Sequence, residues 1–500
     1  MTRSRSVPPR ASAMLEALRG LGYTTASALA DIVDNSIAAN ASVIRIVFDW
    51  RGPSTRIAIL DDGAGMGEDE LEKAMRLGER SPLEARATSD LGRFGLGLKT
   101  ASFSQARRLT VASRQNDSVN SFCWDLDILA AAKDDGWHLM EGLPTEADDL
   151  LAELDQSSSG TLVLWEALDR VVTKNFTKQD FLDLIDRVES HIAMVFHRYL
   201  EGPRPLLRIT INGRPVSPWD PFATATWSSP VEPLPTEAGI VEAQGHVLAH
   251  RDRLSTQDYA IAGGPEGWTA QQGFYVYRNR RLLVPGNWLG LGGGRPWTKE
   301  EPYRLARIRL DIPNSADADW KIDIRKSIAR PPVSIRYRIT HLAEDTRERA
   351  RRVFAHRGQV VAPVGSKPIA QAWRAEHLKT GMRYRIDEDH PAVKAVLEQA
   401  SDLAPQIKAM LRVIEETLPV QRIWLDTAEA KETPQTGFSS SSLDEIVAVL
   451  DVMYRNLIGK KGLSPALARE QLLATEPFHQ YPDLVRALPD EPKNTIERPT

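Results

Sequence analysis

The sequence predicts an α+β fold: helices layered on one face of a mostly antiparallel sheet, then a second α/β domain, then a mainly helical C-terminal domain. Three patterns carry this expectation. Up to about residue 168, stretches with apolar residues at helical spacing alternate with short runs of period two, the mark of mixed helices and half-buried strands. A long amphipathic helix over 176–199 then leads into Leu206-Leu-Arg-Ile-Thr-Ile-Asn-Gly-Arg-Pro-Val, a strand, an Asn-Gly turn and a strand start. Beyond 370 a period near 3.6 dominates, over 390–399, 405–418 and 442–458. The corresponding limits are 1–168, 169–332, a helix and linker over 333–370, and 371–500.

Element by element, 1–12 reads as a loose arm and 14–21 as a short helix. In 24–40, Leu29, Ile32, Val33, Ser36 and Ile37 recur at i, i+3, i+4, i+7 and i+8, a helix with one buried face. Strands over 43–50 and 56–60 flank the turn Arg51-Gly-Pro-Ser. The 68–77 helix begins with acidic residues, which suit its N-terminus. The polar, aperiodic stretch 78–90 has the composition of a mobile lid, and 97–105 is a helix. Strands are expected at 109–113, 118–126 and 160–165, with 127–159 an acidic, serine-bearing insertion. Pro331-Pro332 closes the second domain, 334–357 is a charged helix, 358–368 a linker and 432–442 a loop.

Composition bounds the function. With 42% apolar and 26% charged residues over 500 positions, the chain reads as soluble and globular, with room for several cores. Lys plus Arg number 63 against 67 acids, a net charge of −4, so no global polycation points to nucleic acid. A single cysteine, Cys123, leaves no intrachain disulfide or cysteine-cluster metal site and is compatible with a reducing cytosol. No apolar run is long enough to span a membrane, and 1–10 lacks the apolar stretch of a secretory signal. The expected location is therefore cytoplasmic. His377, His390 and His479 lack metal-ligand spacing.

Three polar signatures fall between Leu29 and Thr100. In Ala30-Asp31-Ile32-Val33-Asp34-Asn35-Ser36, Asp31 and Asn35 are four apart on the polar side of the helix. An acid and an amide there suit a hydrated divalent cation, and the acid can orient an attacking water; the same residues also suit a solvated helix face. Asp61-Asp62-Gly63-Ala64-Gly65-Met66 ends a strand, where a carboxylate can accept a hydrogen bond from an exocyclic amine; an ordinary surface turn has the same composition. Gly92-Arg93-Phe94-Gly95-Leu96-Gly97-Leu98-Lys99-Thr100 is not a Walker A loop, because Leu98 separates Gly97 from Lys99. It is either a loop whose backbone N–H groups meet phosphate or a glycine-rich surface loop.

In this order the three signatures resemble the GHKL ATPase superfamily (the Bergerat fold), and LGRFGLGLKTASF over 91–103 is most similar to its MORC and MutL-like branch. The resemblance implies a GHKL sandwich followed by a transducer domain of ribosomal S5-like fold. It implies that ATP and Mg²⁺ bind, with Asn35 on the metal and Asp61 on the adenine amine. Gly63, Gly65, Met66, Gly92, Phe94, Gly95, Leu96, Gly97, Lys99 and Thr100 would line the nucleotide and its lid. Asp31 matches the water-activating glutamate but is one methylene shorter, which makes binding a safer expectation than turnover. GFYVYRNRRLLV over 273–284 is similar to the transducer's central strand and turn; Arg278, Arg280 and Arg281 read as a solvated turn in preference to a DNA contact. Lys321 sits where a γ-phosphate lysine is expected, with Lys326 as competitor and an exposed strand-flanking lysine as the plainer alternative. The implied function is an ATP-dependent clamp that forms a homodimer with nucleotide and acts on DNA or DNA-bound partners, in repair or defence against foreign DNA. A non-hydrolysing scaffold and a chaperone-like clamp on protein partners stand as alternatives. A histidine kinase fits poorly, since no histidine precedes His138.

Overall fold

The computed structural model describes residues 9–78, 97–132, 134, 136–142, 148–292, 294–317, 319–323, 329–355, 370–378, 381–423, 443–459, 462–475 and 478–490. Contacts divide the chain into two compact units, 1–359 and 360–500.

The first unit opens with α1 (Ala11–Arg19) and α2 (Thr25–Ala38). Thr24 starts α2 through a reciprocal capping box with Ser27, which satisfies donors the first turn leaves over. Next come β1 (Val43–Asp49), β2 (Arg56–Asp61), α3 (Glu68–Met75), α4 (Gly97–Gln105), β3 (Arg108–Gln115), β4 (Ser118–Asp125) and α5 (Leu126–Ala131). They are followed by β5 (Met140–Glu141), α6 (Asp148–Gln156), β6 (Gly160–Glu166), α7 (Lys178–Val195), α8 (His197–Leu200), β7 (Arg208–Ile211) and β8 (Arg214–Pro215). These strands make one sheet in the order β5-β4-β3-β6-β2-β1-β7-β8. Leu29, Val33, Phe103, Trp165, Val188 and Ile192 share the main core, so α2, α4 and α7 cover one face. Leu150 and Leu154 of α6 meet Leu162 and Leu164 in a smaller cluster. Cys123 lies opposite Thr110 in the β3–β4 ladder, and burial pushes its thiol up to about 11.

The sequence assigns the 206–216 hairpin to the second domain. In the structure β7 instead pairs in parallel with β1 (Ile44 opposite Ile209), and Asn212 exchanges hydrogen bonds with Phe48 at 2.7 and 3.1 Å. The hairpin therefore extends the first sheet. The stretch read as an insertion likewise contains α5 and α6, each contributing buried leucines.

The second sheet joins β9 (Ala225–Ser228), β10 (Glu232–Thr236), β11 (Gly239–Leu248), β12 (Gly273–Arg278), β13 (Arg281–Asn287) and β14 (Ala306–Ile312). Its path is β10-β11-β14-β12-β13, with β9 on β11. Helix α9 (Thr256–Gly263) precedes β12, and α10 (Val333–Ala355) packs Ile335, Ile339, Ala343 and Ala350 into the same core. The second unit holds the hairpin β15 (Trp373–Leu378) and β16 (Gly381–Ile386), then α11 (Pro391–Gln399), α12 (Ala404–Glu416), α13 (Leu443–Gly459), α14 (Pro465–Leu473) and α15 (Pro482–Arg486). Among the described residues no helix is long and apolar enough to cross a membrane.

Candidate functional site

The site grows from the end of β2. Asp61 is the last residue of that strand, facing Ile44 on β1 and Thr161 on β6. Its carboxylate accepts the Ser36 hydroxyl at 2.7 Å and the Gly63 amide at 2.9 Å. Burial pushes its pKa up, while Ser36 and the amides of Gly63 and Thr161 pull it back. An acid held this way is a rigid, buried acceptor at the end of a strand. The neighbouring Asp62 differs, capping the chain at Ser42 and Val43.

The turn after Asp61 has little spatial freedom. A Cβ on Gly63 would lie 2.8 Å from Ala39 Cβ, and one on Gly65, whose φ is +67°, would lie 1.9 Å from the Arg114 carbonyl oxygen. Ala64 N–H donates to the Ala39 carbonyl, and Met66 N–H to Ser113 Oγ, at 2.9 and 2.8 Å. The turn thereby ties β2 to the C-terminal end of α2 and to β3.

Along α2 the three polar residues part company. Asn35 is exposed, whereas Asp31 and Asp34 are buried, at 4% and 2% exposure. A solvated face is ruled out for the two acids. Asp31 accepts the Tyr23 hydroxyl at 2.9 Å, and Tyr23 in turn takes a hydrogen bond from Thr100 at the start of α4. Burial, then Asp31, hold the Tyr23 hydroxyl well above its ordinary pKa. Asp34 pairs with Arg281 from the second sheet, Nε lying 2.9 and 3.1 Å from its two oxygens. Of the arginines read as a solvated turn, Arg280 is exposed, but Arg278 and Arg281 are buried.

The remaining candidates divide as follows. Gly97 opens α4 in open space, while Lys99 is buried and donates to the Ala74 carbonyl at 2.8 Å, near the end of α3. Thr100 is fully buried beside Tyr23. Lys321 is exposed with φ +47°, directly after the buried Trp320. Two residues on, the charge of Asp323 adds a small upward push to the Tyr23 pKa. Gly92, Phe94, Gly95, Leu96 and Lys326 lie outside the described residues.

Three residues that the structure ties to these candidates escape the sequence reading. Tyr23, immediately before a helix cap, carries no polar signature; Ser36 reads as one more position on the apolar face; Arg281 reads as turn surface. The available signal for Arg281 is its position as the first residue of a strand that otherwise reads Leu-Leu-Val.

Residues 23–161 match the family described as histidine kinase-, DNA gyrase B-, and HSP90-like ATPases, and this segment is a GHKL ATPase domain. The chain is 29% identical over 115 residues to the ATPase morc-1 of Caenorhabditis elegans, spanning 22% of this chain and 13% of that protein. It is 36% identical over 100 residues to the DNA mismatch repair protein MutL of Neisseria meningitidis serogroup C, spanning 19% of this chain and 15% of the relative. The serogroup B protein of the same name is 37% identical over 101 residues. The matches thus cover less than a sixth of each relative's length.

Proposed function

We propose that this chain binds Mg·ATP between α2, the Asp61 turn and α4, hydrolyses it slowly, and uses the nucleotide as a clamp signal in DNA transactions. The observation that carries the reading is Asp61: a buried carboxylate fixed by three donors at a strand end, beside a turn whose glycines leave no room for a side chain. It suits the adenine amine. The donor set fits magnesium. Asn35 is exposed on α2, and its amide can offer one oxygen to a hydrated cation. A hard cation that keeps its waters and takes phosphate oxygens needs little more from protein, and it would neutralise phosphate charge. Asp31 is the general base in this reading, with Tyr23 fixing one carboxylate oxygen. Lys321 supplies positive charge toward the phosphates from the second sheet's domain, which serves as the transducer. Nucleotide-dependent homodimerisation and DNA, or a DNA-bound partner, complete the proposal; the names of the similar proteins support the DNA step.

A non-hydrolysing scaffold has one observation in its favour: Asp31 is already engaged by Tyr23. Calorimetry of ATP with magnesium, together with phosphate release, separates the two. Asp61→Asn is expected to weaken binding roughly 10- to 100-fold, the worth of a charge-assisted hydrogen bond. Asp31→Ala is expected to abolish turnover while leaving binding. Wild type without magnesium-dependent affinity for adenine nucleotides sinks the whole reading; unchanged turnover in Asp31→Ala removes Asp31 as base. DNA affinity that falls steeply with salt only when nucleotide is bound supports the clamp.

A further inference from the structure

The guanidinium of Arg281, on the second sheet, reaches both acids of α2. Nε sits on Asp34, and Nη2 is 3.7 Å from Asp31 Oδ1. Nη1 donates to the Leu282 carbonyl at 3.0 Å, and the Phe196 ring centroid lies 5.9 Å from its central carbon. The guanidinium is therefore held through Nε by Asp34 and through Nη1 by its own strand, beside an aromatic ring, with Nη2 facing Asp31. Asp34 and Asp31 are neighbours one helical turn apart, so a guanidinium fixed on Asp34 stands beside Asp31. On its far oxygen Asp31 is held by Tyr23.

The β12–β13 hairpin that carries Arg281 is itself fastened to α8. Tyr199 Oη donates to the Asn279 carbonyl in the β12–β13 turn, and Tyr277 Oη meets His197 Nε2 at 2.9 Å. A shift of β13 must then move the guanidinium against α2. Arginine suits this work better than lysine, because its rigid fork fixes an angle as well as a charge.

We propose that Arg281 is a positioning residue for hydrolysis: the second sheet holds the Asp31 carboxylate in its working orientation through the Arg281–Asp34 pair. The inference rests on the ATPase reading above. The groups assigned to the adenine and the metal, Asp61 and Asn35, do not touch Arg281, so its loss acts on turnover and spares binding.

The experiment measures kcat and KM for ATP, nucleotide affinity by calorimetry and melting temperature in wild type, Arg281→Met, Arg281→Lys and the double variant Arg281→Met/Asp34→Leu. Arg281→Met is expected to lower kcat at least tenfold with KM within threefold, and Arg281→Lys to recover part of it. The double variant replaces the ion pair with apolar groups; it is expected to recover melting temperature but not kcat. A kcat restored along with the fold shows the pair to be merely structural and overturns the inference, as does Arg281→Met with wild-type kcat. If both apolar variants fail to fold, Arg281→Lys decides: a lowered kcat at unchanged KM supports the inference, and wild-type kcat overturns it. Wild type that binds Mg·ATP without turning it over removes the inference and leaves the nucleotide site standing; wild type that binds none removes both.

Discussion

Of the arginines buried in the second sheet, Arg281 and Arg307 have their charges satisfied in opposite ways. Arg281 spends its donors on carboxylates of α2, in the other layer. Arg307, on β14 and only 1% exposed, donates to the carbonyls of Pro221 and Ala262 and lies 5.2 Å from the Trp219 ring, 5.7 Å from Trp268 and 5.9 Å from Tyr275. Among the described residues no carboxylate is within ion-pair reach of it, and burial holds its pKa below the usual arginine value. Carbonyl dipoles and π faces solvate a cation without leaving a charge behind when it is removed. A carboxylate partner does leave one. The deeper arginine is therefore the cheaper to lose, and burial alone is a poor guide to the cost.

That comparison can be broken most directly by deletion. Arg281→Met removes the buried countercharge of Asp34 and is expected to cost about 3–5 kcal/mol. Arg307→Met frees two carbonyls and is expected to cost only about 1–3 kcal/mol, with no change in nucleotide affinity; urea unfolding of the two variants side by side reads the order. Equal costs, or the reverse order, would remove the distinction.

A smaller effect sharpens the picture at the same seam. His197 is buried, with its pKa lowered to about 3 by burial and then by Arg198. Its folded pKa lies below the unfolded 6.5, so the unfolded chain takes up the proton first. The neutral ring's contribution is fully present above pH 6.5 and is lost as pH falls toward 3. By pH 5 the loss is roughly 1–2 kcal/mol, and His197→Gln should flatten that part of the stability–pH curve. Smallest of all is the exposed pair Arg352–Glu348, 3.1 Å apart on α10. Arg352→Ala should change stability by no more than about 0.5 kcal/mol.

The sequence is informative wherever a local rule decides. Helix α4 falls on 97–105 as expected, and α2, β2, β4 and β6 fall within a residue or two of their expected limits, because periodicity and turn chemistry set them. The strand end at Asp61 and the glycine turn after it are legible for the same reason. What stays hidden depends on distant pairing. Asp34 and Arg281 are 247 positions apart, and a buried acid looks like a solvated one until its partner is in place. The 206–216 hairpin joins β1 across more than 160 residues, a choice of sheet that no local pattern encodes. Tyr23 matters only through where its hydroxyl ends up.

The buried Cys123 has a use of its own. It is the single thiol of the chain, it sits inside the β3–β4 ladder, and its raised pKa keeps it in the unreactive protonated form at neutral pH. A thiol-directed reagent can then modify it only as fast as those strands part. One natural side chain thus serves as a built-in clock for opening of the nucleotide domain's sheet, free of any engineered label.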